Sequence, residues 1–312
     1  MEQIKVSILV ITYNQEEYIT QTLESIFSQD HDYTYEVIIG DDCSTDKTPE
    51  KIKPFIERYS DKIHYVYNNP NKGLVKNYFD TISLCKGKYI IDIAGDDWFL
   101  PGRIETQIEF MEKHPECGMS YGKAKVFNAK KNKFTGRFLG DPICDFDSLL
   151  EKNHVPSVAW CLRRDLLTEY ITEIRPLEKD WMMEDYPIIL WFALNSKIMF
   201  IDSFLTAYRY LEDSASHFGL NIERLRLFKE SENTVRNYFI KSFTNKKAVE
   251  SYTQKEICYL LLKKLRISYR LWMKEYHKIP SYQIDKILKL ASNPFCFVSF
   301  RLVWLMQGKM KK

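Results

Sequence analysis

Short polar clusters carry most of the chemistry this chain can offer: Thr12-Tyr13-Asn14-Gln15-Glu16-Glu17, Asp41-Asp42-Cys43-Ser44-Thr45-Asp46, Ala94-Gly95-Asp96-Asp97-Trp98 and Glu184-Asp185. Two adjacent carboxylates, Asp96 and Asp97, suit a hard divalent cation, which takes oxygen ligands and bridges phosphates. Tyr13 offers a ring on which a base can stack. Asp41 or Asp42 can accept a hydrogen bond from a ring N–H. Taken singly, such residues are the ordinary punctuation of turns and helix caps. Glu184-Asp185 equally suits the first turn of a helix, where acids face the positive end of the dipole. Taken together, three strand ends of this kind point to a nucleotide-and-metal site.

The elements ahead of the clusters are what would bring them together. Val6 to Ile11, Glu36 to Gly40, Ile63 to Tyr67 and Lys88 to Ile93 read as buried strands. Between them, Tyr18, Ile19, Thr22, Leu23, Ile26 and Phe27 mark one helical face, and Leu74, Val75, Tyr78, Phe79 and Ile82 another. Pro101 stands where a first-turn proline belongs, ahead of Ile104, Ile108 and Met111. This alternation predicts an α/β fold, Rossmann-like, with a mainly parallel sheet and helices on both faces. Ligands of such sheets bind beyond the carboxyl ends of the strands. Further on, Ser157 to Leu162 reads as a strand, Tyr186 to Leu194 as a helix, Lys197 to Tyr210 as a strand pair, and the chain from about Gly219 as helical to its end.

Several functional classes are excluded. Neither a G-x-x-x-x-G-K-[ST] loop nor a G-x-G-x-x-G turn follows the first strand, so a phosphate-bearing ligand must be neutralised by other means. This weighs against a nucleotide-sugar pyrophosphorylase, which usually holds its triphosphate in a glycine-rich loop. The seven cysteines are scattered and contain no C-x-x-C pair, so they suit buried hydrophobes better than zinc ligands or a disulfide framework.

The segments resemble glycosyltransferase family 2 in five motifs that occur in its order, over roughly residues 4–217. Val6 to Ile19 is similar to the family's opening strand and loop. Glu36 to Thr48 resembles its "DDgSTDgT" segment, and Asn71-Lys72-Gly73 with Asn77 its "N.G...arN" segment. Gly87-Lys88-Tyr89-Ile90 followed by Gly95-Asp96-Asp97-Trp98 resembles its metal motif. Glu184-Asp185, Ile201-Asp202 and Tyr208-Arg209 resemble its "ED…ID…YR" stretch.

That resemblance implies a GT-A fold, a nucleotide-sugar donor (usually a UDP-sugar), Mg²⁺ or Mn²⁺, and inversion at the anomeric carbon. It implies that Thr12, Tyr13, Asn14 and Glu16 line the nucleoside pocket and that Asp42, with Asp41 beside it, contacts the base. Asp96 would hold ribose and Asp97, helped by Asp96, the diphosphate-bound metal, with Lys76 a weaker phosphate contact. Asp185 would be the general base, with Glu184 as its neighbour, acting on a hydroxyl of a glycan or lipid-linked glycan of the bacterial surface type. Ser157 and Trp160 fall where the family faces its acceptor; Trp160 either stacks on a sugar or fills the core. Leu211 to His217 reads as a lid, with His217 in reach of the diphosphate or simply on the surface. Two positions depart from the pattern: Ala94 replaces the first metal-motif acid, and Cys43 replaces a glycine. Ala94 favours the alternative of a degenerate domain acting as a binding module; intact Asp96, Asp97 and Asp185 oppose it.

Composition completes the reading. Hydrophobic residues make up 45% and charged residues 28% of the 312, the balance of a globular protein. Met1 to Lys5 lacks a signal peptide's basic and apolar regions, which leads to the expectation of a cytoplasmic protein. The net charge of +3 conceals an asymmetry: residues 218–312 hold 20 Lys and Arg against 7 Asp and Glu. The chain is accordingly divided into a catalytic domain at 1–217 and a basic helical region at 218–312. Pro294 to Met306 with Lys309, Lys311 and Lys312 suits an interfacial helix with a basic flank. An anionic membrane surface, not nucleic acid, is the expected partner of this tail, on the cytoplasmic face; a helix packed on the protein or self-pairing is the alternative.

Overall fold

A computed structural model describes residues 4–211 and 222–243. Residues 212–217 of the lid with His217, the helical reading beyond residue 243, and the apolar tail 294–312 lie outside these residues. The chain divides into two compact units, Met1–His217 with Ser231–Ala248, and Phe218–Glu230 with Val249–Lys312. Of the second unit only residues 222–230, the start of a helix, are described.

The first unit opens as the sequence predicts. Strands β1 (Val6–Thr12), β2 (Tyr35–Asp41), β3 (Ile63–Tyr67) and β4 (Tyr89–Ala94) alternate with helices α1 (Ile19–Phe27), α2 (Thr48–Arg58) and α3 (Leu74–Ile82). They pair in parallel in the order β3-β2-β1-β4, with Thr12 beside Asp41 and Ile11 beside Ala94. That register puts the first three polar clusters on one sheet edge. There follow β5 (Trp98–Phe99), α4 (Arg103–Lys113), β6 (Cys117–Asn128), β7 (Lys133–Leu139) and α5 (Phe146–Glu151), then β8 (Trp160–Arg163), α6 (Arg164–Ile174), α7 (Asp185–Asn195), β9 (Lys197–Tyr210) and α8 (Ile222–Phe243). Beyond β4 the sheet is mixed: β8 runs antiparallel to β4 and β6, β9 parallel to β6, and β5 antiparallel to β9.

The core explains why these segments settle as they do. Val6, Ile8 and Val10 of β1 and Val37 and Ile39 of β2 are fully buried, packed with Ile19, Leu23 and Ile26 of α1 and with Ile104, Ile108 and Met111 of α4. Each such side chain contributes about 1.5–3 kcal/mol on leaving water. Helix α4 begins at Arg103, not at Pro101, because Gly102 before it has φ 77°, outside the helical region. Residues 157–159 form a single 3-10 turn ahead of β8 rather than its first half.

Gly40 is required by close approach. A Cβ there would lie 2.2 Å from Thr81 Oγ1 and 2.9 Å from Asn77 Oδ1. Asn77 of α3 donates to the Gly40 carbonyl at 3.0 Å, so helix and strand touch directly. We predict that Gly40→Ala lowers stability by about 1–3 kcal/mol, the usual range for overpacking; a denaturant midpoint equal to wild type would contradict this contact.

Candidate active site

The first two clusters hold each other. Asn14 has φ 52°, and its side-chain oxygen accepts the Thr45 N–H at 2.8 Å while its own N–H donates to Ser44 Oγ. Glu16 accepts the Lys47 N–H at 2.7 Å, and its N–H donates to Asp46 Oδ2. Asp41 is fully buried, with Oδ1 accepting from Ser44 N and Oδ2 from the Tyr65 hydroxyl. The side chains of Asn14, Glu16 and Asp41 are therefore engaged in shaping loops. Cys43 sits at φ 65°, in the left-handed region, which accounts for the glycine usual at this position.

Asp42 faces a different set of partners. Its Oδ1 accepts from Asn68 Nδ2 (3.2 Å) and Lys72 N (2.8 Å), and its Oδ2 from Gly73 N (2.8 Å). A carboxylate has about four acceptor positions, so these bonds leave one on Oδ2 for a ring N–H. Asn68 also donates to Asn77, which ties Asp42 to the α3–β2 contact. Tyr13 is 49% exposed at the end of β1, with its ring open to stacking. Lys76 stands on the exposed side of α3, paired with Asp80 at 3.5 Å, and the structure does not bring it to the acidic turn.

The acidic turn Ala94–Trp98 is pinned by residues distant in sequence. Thr22 of α1, fully buried, donates to the carbonyls of Gly95 (2.9 Å) and Asp97 (2.6 Å). Ser25 Oγ accepts the Phe99 N–H. Asp97 is buried, and its Oδ1 accepts the Arg209 N–H at 2.6 Å. Arg209 Nε donates to the Asp96 carbonyl at 2.6 Å, and its guanidinium lies over the rings of Tyr18 (4.5 Å) and Trp98 (4.7 Å). Thr12 Oγ1 donates to Gln15 Oε1 at 2.8 Å, directly above Gly95, where a Cβ would clash with both side chains. Beside this turn, a cleft of about 460 Å³ opens against Glu16, Glu17, Tyr18, Asp46 and Leu211.

Burial first, and Asp96 second, push the Asp97 carboxyl well above the usual carboxylate range; burial also raises Asp96. Among the described residues no group of three or more His, Cys, Asp or Glu side chains converges to hold a metal. Two adjacent carboxylates that repel each other in a desolvated turn nevertheless fit a divalent cation, whose remaining positions phosphate oxygens can fill. Asp97 and Asp96 are the residues that would hold it.

A second acidic group lies at the start of α7. Glu184 precedes the helix and Asp185 opens it, with Oδ1 accepting the Tyr186 N–H at 2.7 Å. Burial, then the charge of Asp185, push Glu184 up to about 8; burial raises Asp185, while the Tyr186 N–H and the nearby Ser157 hydroxyl oppose the rise. Asp92 of β4 is pushed up to about 7 by burial, and its charge bears on Glu184. The Tyr78 hydroxyl donates to Asp92 at 2.9 Å and the Trp160 indole N–H donates to its other oxygen. Trp160 is fully enclosed, so the stacking role is corrected: its ring fills the core and anchors Asp92. Ser157, in contrast, lies beside Asp185.

Sequence reasoning missed Arg103, and it quoted Thr22 only as part of a helical face and Arg209 only as part of a motif. Arg103 is fully buried, donating to the carbonyls of Val158 and Trp160 and to Thr206 Oγ1, and so fixes residues 157–160 from behind. Arg103 stands two residues after Pro101, and nothing local in the sequence marks it as buried.

The chain resembles several known proteins. The uncharacterised protein Rv1520 of Mycobacterium tuberculosis is 29% identical over 208 residues, 65% of this chain and 58% of that protein. The Escherichia coli UDP-Glc:alpha-D-GlcNAc-diphosphoundecaprenol beta-1,3-glucosyltransferase WfgD is 25% identical over 54% of this chain and 64% of its own length. This chain thus spans less than two thirds of either relative. A crystal structure of Staphylococcus aureus TarS 1–349 in complex with UDP-GlcNAc superposes with a TM-score of 0.54 at 20% identity, covering 84% of this chain and 80% of that one, and shares the GT-A fold. Residues 7–171 match the model of glycosyl transferase family 2, from the first strand through the acidic turn to α6, and the chain belongs to that family.

Proposed function

We propose that the protein is an inverting glycosyltransferase that moves a sugar from a nucleotide-sugar donor, a UDP-sugar in our reading, to a hydroxyl of a glycan or lipid-linked glycan. The observation that carries this reading is the acidic turn Asp96–Asp97, clasped by Arg209 at the same sheet edge as Asp42 and Tyr13. The activity that WfgD is named for supports both the UDP-linked donor and a lipid-linked acceptor; TarS binds UDP-GlcNAc on the same fold.

In this mechanism Tyr13 stacks on the base and Asp42 accepts its ring N–H. Asp97 and Asp96 would hold a Mg²⁺ or Mn²⁺ ion, which would supply electrostatic stabilisation of diphosphate charge. Asp185 takes the proton of the acceptor hydroxyl as that oxygen attacks the anomeric carbon. A single carboxylate base with no covalent nucleophile gives inversion. Thr22 and Arg209 keep the turn fixed, and Arg103 keeps Ser157 beside Asp185. The reading is tested by incubating the protein with UDP-, GDP-, dTDP- and CDP-sugars, with and without Mn²⁺. Metal-dependent release of one nucleoside diphosphate is expected; no release from any donor by folded protein would sink it.

The electrostatics of α7 add a pH prediction. A base works only when unprotonated, and both Glu184 and Asp185 are raised. Activity therefore falls with decreasing pH well before the ordinary carboxylate range of about 4. Glu184, pushed up to about 8 in part by the charge of Asp185, is the first of the two to take a proton and is neutral on the acid limb, so Glu184→Gln should leave both the limb and the plateau of kcat/KM in place. A limb displaced to lower pH would show that Glu184 carries charge there, and loss of the plateau would make Glu184 the base.

A further inference from the structure

The hairpin formed by β6 and β7 does not match the acidic body around it. Residues 123–140 contain Lys123, Lys125, Lys130, Lys131, Lys133 and Arg137 and no Asp or Glu, whereas residues 1–217 as a whole hold ten more acids than bases. Strand β7 is exposed along its whole length. Among the described residues it pairs only with β6. Phe134 and Phe138 are 46% and 50% exposed, Leu139 38%, and Phe204 on the neighbouring β9 40%.

These exposed groups are arranged together. Phe138 meets Phe204 edge to face at 5.8 Å. The Lys123 ammonium lies over both rings, at 5.4 and 5.5 Å, and the Lys125 ammonium lies over Phe204 at 4.9 Å. Asp202 offsets part of this charge through its ion pair with Lys123. The turn adds Lys130, Lys131 and Lys133. A strip that read sugars would present free amides and carboxylates to their hydroxyls; here Asn128 is engaged by the Lys131 N–H, Thr135 donates to the Val126 carbonyl and Asp202 is paired with Lys123, while phenylalanine, leucine and cations predominate. Large apolar groups exposed beside concentrated positive charge are the combination that binds an anionic lipid interface.

We infer that the β6–β7 hairpin is a membrane-docking surface, with Phe138, Leu139 and Phe204 entering the headgroup–acyl boundary and Lys130, Lys131, Lys133 and Arg137 meeting lipid phosphates. This surface uses none of the residues assigned to the transfer chemistry.

The test is co-sedimentation of the full chain with phosphatidylcholine vesicles, with and without phosphatidylglycerol. Binding is expected only with phosphatidylglycerol, weakening as salt rises. The variant Lys130→Gln/Lys131→Gln/Lys133→Gln should reduce partitioning on the order of a hundredfold. Phe138→Ser/Leu139→Ser should reduce it at least about tenfold while keeping the salt dependence. Both variants should retain the wild-type melting temperature, because β7 lies on the surface. Wild-type partitioning by both would overturn the inference, as would equal binding to neutral vesicles. Loss confined to Lys309→Gln/Lys311→Gln/Lys312→Gln would assign docking to the tail instead. Absence of vesicle binding, together with capture of soluble polyphosphate that the lysine variant loses, would replace the lipid by a soluble polyanion.

Discussion

Asp185→Asn should abolish sugar transfer while leaving nucleotide binding intact. The amide still accepts the Tyr186 N–H that the carboxylate accepts at 2.7 Å, so the start of α7 keeps its geometry. What is lost is the capacity to take a proton. Positioned general bases are worth about 10²–10⁴ in rate, and kcat should fall by that factor with little change in KM for the donor. The raised proton affinity of the wild-type group, caused mainly by burial, makes it a stronger base than an exposed aspartate. Activity within about tenfold of wild type would remove Asp185 from the reaction.

Asp97→Asn should cost about a thousandfold or more in kcat/KM, since stabilising charge on a departing diphosphate is worth several kcal/mol. The side-chain oxygen that accepts the Arg209 N–H is retained, so the turn should persist. Without metal the variant should melt no lower than wild type, because the substitution removes one of two repelling buried carboxylates. That separates a lost metal from a lost fold. A variant that unfolded early would show instead that the Asp97 charge supports the structure through Arg209.

The parts of this architecture that were legible in the sequence are those with local signals. β1, β2, β3 and β4 are short apolar runs, and the clusters after three of them announce the sheet edge. The helical stripes of α1 and α3 are equally local. Thr22 and Arg209 escaped notice as fasteners of the acidic turn because they meet Asp97 from 75 and 112 residues away. Strand β9 reads as a pair because Asp202 and Ser203 interrupt its apolar pattern. In the structure it is one strand of 14 residues, and its register against β6 shifts where those residues fall, between Phe200 and Phe204. Trp160 was ambiguous because an aromatic on a strand suits both a sugar platform and a core. Only Asp92 beneath its indole N–H decides for the core.

Asn14, Glu16 and Asp41 carry a related lesson. Their types and positions suit a nucleoside pocket, yet the side chains of Asn14 and Glu16 lace the β1 and β2 loops together, and that of Asp41 braces the β2 loop and ties it to β3. Their contribution to binding is the shape of those loops, which presents Tyr13 and Asp42. Cys43 at positive φ belongs to the same construction.

The most direct test of the central claim, a metal-assisted nucleotide site at Asp96–Asp97, is thermal unfolding of wild type and Asp97→Asn with UDP, GDP, dTDP or CDP, each with and without Mn²⁺. A ligand that binds only the native state must raise its stability, by about 2.7 kcal/mol at a hundred times its Kd. The account predicts a rise with UDP that needs Mn²⁺ in the wild type and is absent in Asp97→Asn. A well-folded wild type that responds to no nucleotide, or an equal rise in the variant, would contradict it.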